Sequence, residues 1–377
     1  MNQDSTSQPP VNQGSVGQVP AGSGVTPAIS TPTPVEPSTP IVPVVPPAQT
    51  SAPVKPTPVV VPPTGQTQSV SATSTPPTPV ATPITPPSAP PQPTDVTSAK
   101  PKYPFLPTWC PGCGNFGIIN ALKMAIAKTG LPKEKFVIVY DIGCSGNMAD
   151  FLDMYGFHGL HGRAIPPAAG IKLANHDLKV IVVMGDGGCY GEGATHFINL
   201  MRGNHDVTVL VHDNHRYALT TGQMSPTTDK GEKTKSTPEG AIEEPINPLA
   251  LAVSNHASFV AREFSGAIPQ LSARILEAIN HPGFAIIDIL QICAVYNKKQ
   301  DLKWYRENTV SLGAEHKTND KGAAWSQAMR ADKLPVGLFY KEEKASYHSQ
   351  VSELQSATLV KHDKTSVDLE GILAEYR

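Results

Sequence analysis

The stretch Lys179-Val180-Ile181-Val182-Val183-Met184-Gly185-Asp186-Gly187-Gly188 decides the fold. An apolar run without polar alternation reads as a strand buried on both faces, and such strands belong to parallel sheets covered by helices. The run stops at glycines flanking a lone carboxylate. Working outward, similar apolar strands are predicted at 135–140, 207–212 and 284–290. Helices are predicted over 116–128, 164–175, 193–202, 248–253 and 268–280, the second with two prolines suited to a first turn. This alternation predicts an α/β fold, a parallel sheet with helices on both faces. Its binding crevice lies beyond the carboxyl ends of the strands.

The rest of the chain differs in composition. Of 39 prolines, 25 fall in residues 1–100, which hold no Phe, Trp or Tyr and only five charged residues. Such a segment cannot bury enough apolar surface to offset chain entropy. Residues 1–100 therefore read as a disordered Pro/Thr/Val-rich arm, partly polyproline II. Residues 101–310 read as the folded domain, and 311–377, polar with scattered apolar positions, as a C-terminal extension wrapping the domain or a partner.

Net charge is −2 with no basic stripe, which argues against a nucleic-acid partner. No apolar run approaches the roughly 20 residues of a membrane span. The opening Met1-Asn2-Gln3-Asp4-Ser5 lacks the features of a secretory signal, so a cytoplasmic location is expected.

Gly185-Asp186-Gly187-Gly188 ends one strand and Asp213-Asn214-His215-Arg216-Tyr217 ends the next. Asp186 and Asn214 are 28 positions apart, and adjacent parallel strands bring their ends together. One carboxylate and one amide oxygen there suit a hard cation such as Mg2+. The glycines let a diphosphate approach the backbone, and the following helix points its N-terminus at it.

Cysteines form a second constellation. Cys110-Pro111-Gly112-Cys113-Gly114 is a C-x2-C turn, Cys144 follows a strand in Ile142-Gly143-Cys144-Ser145, and Cys293 follows another. Four thiolates delivered from loops to one sheet edge suit zinc or an iron–sulfur cluster, and spacing alone does not separate them. Cys189 reads as a packing residue.

The Gly-Asp-Gly to Asn unit resembles the thiamine diphosphate-binding motif. Together with the C-x2-C turn, Ile142-Gly-Cys-Ser and His161-Gly162-Arg163-Ala164, in this order, it resembles the beta subunit of 2-oxoacid:ferredoxin oxidoreductases over roughly residues 103–310. The resemblance implies a thiamine diphosphate-binding fold. It implies oxidative decarboxylation of a 2-oxoacid to an acyl-coenzyme A and carbon dioxide, with electrons passed through a 4Fe–4S cluster to ferredoxin. It assigns Cys110, Cys113, Cys144 and Cys293 to the cluster, and Asp186, Asn214 and the Arg216 carbonyl to Mg2+. Asp213 stands where many relatives have a second Asn. Gly143, Cys144, Ser145, Gly185, Asp186, Gly187, Gly188, Asn214, Arg216 and Thr220 are the implied cofactor contacts. Cys144, Ser145, His161 and Arg163 are the implied catalytic residues, with Asn147 nearby and His158 a weaker candidate. Asn147 offers no positive charge for a second substrate carboxylate.

Thiamine enzymes also need a carboxylate, usually Glu, on a second domain of similar size. The resemblance places that domain on a partner alpha, or fused gamma–alpha, subunit. Two other readings are weighed. A non-oxidative thiamine-dependent enzyme leaves the four cysteines idle, and a zinc-stabilised scaffold leaves the cation pair unexplained.

Overall fold

The computed structural model describes residues 107–362 and 368–377. The Pro-rich arm expected over 1–100 lies outside the described residues.

The apolar runs form one eight-stranded sheet. In chain order the strands are β1 (Phe136–Tyr140), β2 (Gly156–His158), β3 (Lys179–Gly185), β4 (Thr208–Asp213), β5 (Arg216–Tyr217), β6 (Gln223–Met224), β7 (Phe259–Phe264), β8 (Ala285–Leu290), β9 (Thr309–Ser311) and β10 (Leu334–Lys341). The sheet order is β2-β1-β3-β4-β8-β7-β10-β9, while β5 and β6 pair separately. The pairings from β2 through β7 are parallel. Strand β10 pairs antiparallel with β7, with a register shift between Leu338 and Tyr340, and β9 pairs parallel to β10.

Strand side chains alternate between two apolar layers. Val139, Val182, Val211 and Ile286 enter one layer with α2 (Ile165–Ala174), α3 (Ala194–Gly203) and α4 (Pro248–Ser254). Ile138, Ile181, Leu210 and Ile287 enter the other with α1 (Asn115–Thr129) and α5 (Ile268–Asn280). Helix α1 buries Ile118, Ile119, Leu122 and Ala125, and ends at Gly130 in the left-handed conformation. Helices therefore cover both faces of a mostly parallel sheet. Among the described residues no helix is long and apolar enough to cross a membrane.

Strands β7, β10 and β2 are among those that the sequence pattern does not announce. Strand β7 contains Arg262 and Glu263, which interrupt its apolar run, yet all six of its residues are buried. Arg262 Nε donates to Asp288 Oδ2 on β8 at 2.8 Å, and Arg274 Nε donates to Glu263 Oε1 at 3.2 Å. A paired charge is tolerated where a lone one is not. Strand β8 is thus flanked by β4 and β7. Strand β10 is disguised by Pro335 and Gly337, and its presence in the sheet shows that 311–377 supplies more than a wrapping tail. Short β2 is exposed along its length.

Ile286 is fully buried in the first layer. Ile286→Ala is expected to lower unfolding stability by about 2–5 kcal/mol, measured by urea denaturation.

Candidate active site

Strands β1, β3, β4 and β8 all release their chains at one end of the sheet, and the residues just beyond them line a single cavity. It contains Gly143, Cys144, Ser145, His161, Gly185, Asp186, Gly187, Gly188, Asn214, Arg216 and Thr220. Arg163 is not among its lining residues.

The cation pair comes first. Asp186 is buried at the end of β3. Its Oδ2 accepts both the Ser225 hydroxyl at 2.5 Å and the Thr227 hydroxyl at 2.7 Å, so neither occupies Oδ1. Thr227 also approaches Asp213 Oδ1 at 2.8 Å. Burial and the nearby Asp213 carboxylate push the Asp186 carboxyl well above the usual range. A bound cation would reverse that. Asn214 Oδ1 accepts from the Arg216 backbone N–H at 3.0 Å. The guanidinium of Arg216 turns away to Glu232 Oε1 at 2.7 Å, pinning the loop that carries Ser225 and Thr227. Carboxylate, amide oxygen and main-chain carbonyl make an all-oxygen donor set that fits Mg2+.

The opposite wall is the Gly143-Cys144-Ser145 turn. Gly143 has φ +143°, which only glycine adopts without strain. Cβ atoms at Gly143 and Gly185 would meet nothing nearer than Ser145 Oγ, at 3.9 and 3.8 Å. Both glycines thus keep room open in front of that hydroxyl, which is buried without a hydrogen-bond partner among the described residues. The cradle fits a diphosphate cofactor approaching main chain. Two long-range hydrogen bonds fix the turn: the Cys144 carbonyl accepts Trp109 Nε1–H at 2.7 Å and Asn115 Nδ2–H at 3.3 Å. Asn115 Oδ1 in turn lies 2.7 Å from His212 Nδ1. Since the Asn115 amide nitrogen is already donating, His212 Nδ1 is the donor here. Burial pushes the His212 imidazole down to about 3, so the ring is neutral.

A third wall holds His161. Its Nδ1 is 3.3 Å from Asp141 Oδ2 and its Nε2 is 3.4 Å from Glu192 Oε2. Asp141 is fully buried at the end of β1, and its Oδ1 accepts Gly162 N–H at 2.7 Å. A Cβ on Gly188 would fall 1.8 Å from Asp141 Oδ2, so only glycine fits there. Burial raises the Asp141 carboxyl, with His161 opposing. Tyr217 hydroxyl donates to Glu192 at 3.1 Å. Arg163 is held away from the cavity because Nη1 donates to the Glu192 carbonyl at 2.7 Å. It faces a neighbouring groove with His158 and Leu160. Thr220 donates to Gln223 Oε1 at 2.7 Å, shaping the loop at the mouth.

Behind the Cys144 turn lies a second cavity of about 200 Å³, lined by Cys110, Cys113, Cys144, Cys293 and Asn147. None of these thiols is in a disulfide. Gly114 N–H donates to the Ile292 carbonyl at 3.0 Å, which stitches the C-x2-C turn to the segment carrying Cys293. Burial pushes the Cys144 thiol up to about 12. Among the described residues no three His, Cys, Asp or Glu side chains are gathered closely enough to hold a metal ion. The thiols surround a space. Cys189 is buried in the core layer, as a packing residue.

Sequence reasoning missed Asp141, Asn115, His212, Ser225, Thr227 and Gln291. Each acts through a contact distant in sequence. The run Ser225-Pro226-Thr227-Thr228, rich in hydroxyls, was a legible signal for the cation-site loop.

Comparison with known proteins adds to this geometry. Residues 141–289 match the family model for the thiamine pyrophosphate enzyme C-terminal TPP-binding domain. Residues 293–356 match the model for the C-terminal part of the pyruvate ferredoxin oxidoreductase beta subunit. The 2-oxoacid:ferredoxin oxidoreductase subunit beta of Saccharolobus solfataricus is 41% identical over 293 residues, covering 71% of this chain and 96% of that one. The 2-oxoglutarate synthase subunit KorB of Archaeoglobus fulgidus is 41% identical over 208 residues, covering 54% and 77%. A solved 2-oxoglutarate:ferredoxin oxidoreductase from Magnetococcus marinus, with 2-oxoglutarate, coenzyme A and succinyl-CoA bound, superposes with a TM-score of 0.67 at 36% identity. That match covers 72% of this chain and 93% of the other.

Two outcomes follow for the cation site. Removing both hydroxyls from Asp186, by Ser225→Ala with Thr227→Val, is expected to weaken thiamine diphosphate binding, measured with Mg2+ in the buffer, by about tenfold or more, since hydrogen bonds to a charged group contribute about 1.5–3 kcal/mol each. Titration calorimetry reads it. Because burial favours the protonated form of Asp186 and a cation needs the anion, cofactor affinity should fall on acidification while pH is still above the ordinary Asp range. An affinity flat from neutral pH down to about 4 would contradict this.

Proposed function

This chain belongs to the beta subunits of the 2-oxoacid:ferredoxin oxidoreductases, and from that membership we propose that it carries the diphosphate end of thiamine diphosphate with Mg2+, and a 4Fe–4S cluster, in adjoining cavities. It is an oxidoreductase of the class that acts on oxo groups with an iron–sulfur protein as acceptor. The observation that supports the finer reading most is the shared wall. Cys144, Asn214 and Gln291 line both the glycine-walled cavity and the cysteine-lined one.

Thiamine diphosphate, once bound, supplies the carbanion and electron sink for decarboxylation, and a cluster supplies one-electron transfer. The chain's own residues do the rest. Asp186, Asn214 and the Arg216 carbonyl would hold the cation on the diphosphate, with Gly185 leaving room for it, while Gly187 and Gly188 let the turn close against Tyr217 and Asp141. Gly143 and Ser145 would present the turn to the ring, the Ser145 hydroxyl being free to donate. His161, with a carboxylate near each ring nitrogen, can hold or move a proton at the cavity wall. Arg163 acts from the adjoining groove by fixing the Glu192 main chain. Thr220 shapes the mouth. Cys110, Cys113, Cys144 and Cys293 would ligate the cluster. A single zinc ion sits about 2.3 Å from its thiolates, so four thiols around so large a space favour the larger group.

The alpha subunit is the expected partner. Ile142 and Leu219 line the cavity mouth yet are 40% and 49% exposed, and Leu160 beside it is 76% exposed. Apolar side chains grouped around a cavity mark a surface to be covered. Among the described residues lining the cavity there is no glutamate, so the pyrimidine-side carboxylate would come from that partner. Ferredoxin as acceptor, coenzyme A as acyl acceptor, a 2-oxoacid as substrate and a cytoplasmic setting complete the proposal. We assign 101–310 as the cofactor-binding domain, its described part being 107–310, with 311–377 as the C-terminal part that adds β10 to its sheet.

The test is anaerobic co-expression with the alpha partner, then ferredoxin reduction against a panel of 2-oxoacids with coenzyme A. We expect a brown complex with four irons per chain, activity only with both subunits, and loss of iron in Cys110→Ser and Cys293→Ser. A colourless zinc protein, or turnover by the chain alone, would overturn the reading.

A further inference from the structure

Gln291 leaves the end of β8 and is buried in the wall between the two cavities. Its side chain touches both sites. Gln291 Oε1 accepts Asn214 Nδ2–H at 3.2 Å, and Gln291 Nε2–H donates to Cys113 Sγ at 3.5 Å. The neighbours fix which way the amide faces. Asn214 Oδ1 is already taken by the Arg216 N–H, so Asn214 turns its nitrogen toward Gln291. Gln291 must then present oxygen to Asn214 and nitrogen to sulfur. Its main chain cannot drift, because Gln291 N–H donates to the Asp213 carbonyl at 2.8 Å.

Three groups are thus in series: a ligand of the proposed cation site, a neutral amide, and a ligand of the proposed cluster. Hydrogen bonds in series polarise one another. A cation on Asn214 Oδ1 draws electron density from its amide and makes Nδ2–H a stronger donor. That polarises the Gln291 amide and strengthens its N–H toward sulfur. Hydrogen bonds to cysteine sulfur are among the factors that set a cluster's potential, and they favour the more negative, reduced state.

We propose that Gln291 is a positioning residue that couples occupancy of the diphosphate–cation site to the reduction potential of the group held at Cys113. The coupling rests on the function proposed above. It makes the cluster a better electron acceptor when cofactor is seated than when it is absent. By linkage, reducing the cluster tightens cofactor binding by the corresponding factor.

The experiment is an EPR-monitored redox titration of the alpha–beta complex, with and without thiamine diphosphate and Mg2+, comparing wild type with Gln291→Leu. Iron content and cofactor binding are measured on the same samples. The expected result is a less negative wild-type potential with cofactor. In Gln291→Leu, with full iron and saturated cofactor, the potential is more negative than wild type and no longer responds to cofactor. A cofactor-dependent shift that persists undiminished in the variant would sink the coupling. So would a wild-type potential indifferent to cofactor, a measurement that needs no variant to fold. A wild-type complex without iron overturns the functional reading and this inference together, whereas an iron-replete complex with an unresponsive potential overturns this inference alone.

Discussion

Everything at the carboxyl end of the sheet depends on how the Cys144 turn is held. Its carbonyl oxygen accepts the Trp109 indole at 2.7 Å and the Asn115 amide at 3.3 Å. Those donors come from the start of the described chain and the first turn of α1, far from β1 in sequence. One acceptor therefore ties the C-x2-C segment, α1 and the β1 exit into a common partition. Trp109 also packs edge-on against Phe116 and Phe151, so the indole donor is itself fixed. The neutral His212 ring braces Asn115 from β4. A buried polar chain of this kind is favourable only when each member finds its partner. Two of its atoms, His212 Nε2 and the Ser145 hydroxyl, have no partner among the described residues, and both residues line the cavity.

The sheet explains why so few residues suffice. Parallel strands terminate at a common edge, so four exits bring Asp141, Asp186, Asn214 and Gln291 together without a long loop. Strand order does the rest. With β3 between β1 and β4, the Gly185 turn sits between the Cys144 turn and the Asp213-Asn214 turn. Burial then acts on the acids it gathers. Asp141, Asp186 and Asp213 are all raised by desolvation, so the edge stores unmet demand for positive charge. His161 and the hydroxyls of Ser225 and Thr227 meet part of it.

Much of this was legible in the residues. The strands carrying the site are runs of Val, Ile and Leu, whose pattern is set by burial on both faces, and their ends were marked by Gly-Asp-Gly and Asp-Asn. Legibility failed where a tertiary partner overrode local chemistry. Arg262 and Glu263 made β7 look like a polar segment, because their counter-charges Asp288 and Arg274 are supplied by other elements. Arg163 was expected on the cavity wall, but the Glu192 carbonyl draws it aside. No pattern within a short window could have revealed Gln291, whose importance lies in what stands on either side of it.

The four thiols that line the second cavity are not equally sheltered. Cys293 is buried and Cys113 and Cys144 are half-buried, while Cys110 is exposed. Thiol oxidation follows access as well as thiolate character. Air or peroxide would meet the Cys110 sulfur first, at the tip of a surface turn, while its mates stay covered. Oxidation at this end of the molecule would accordingly begin at one exposed sulfur, a lesion that a reductant can still reach and reverse before the interior sulfurs are touched.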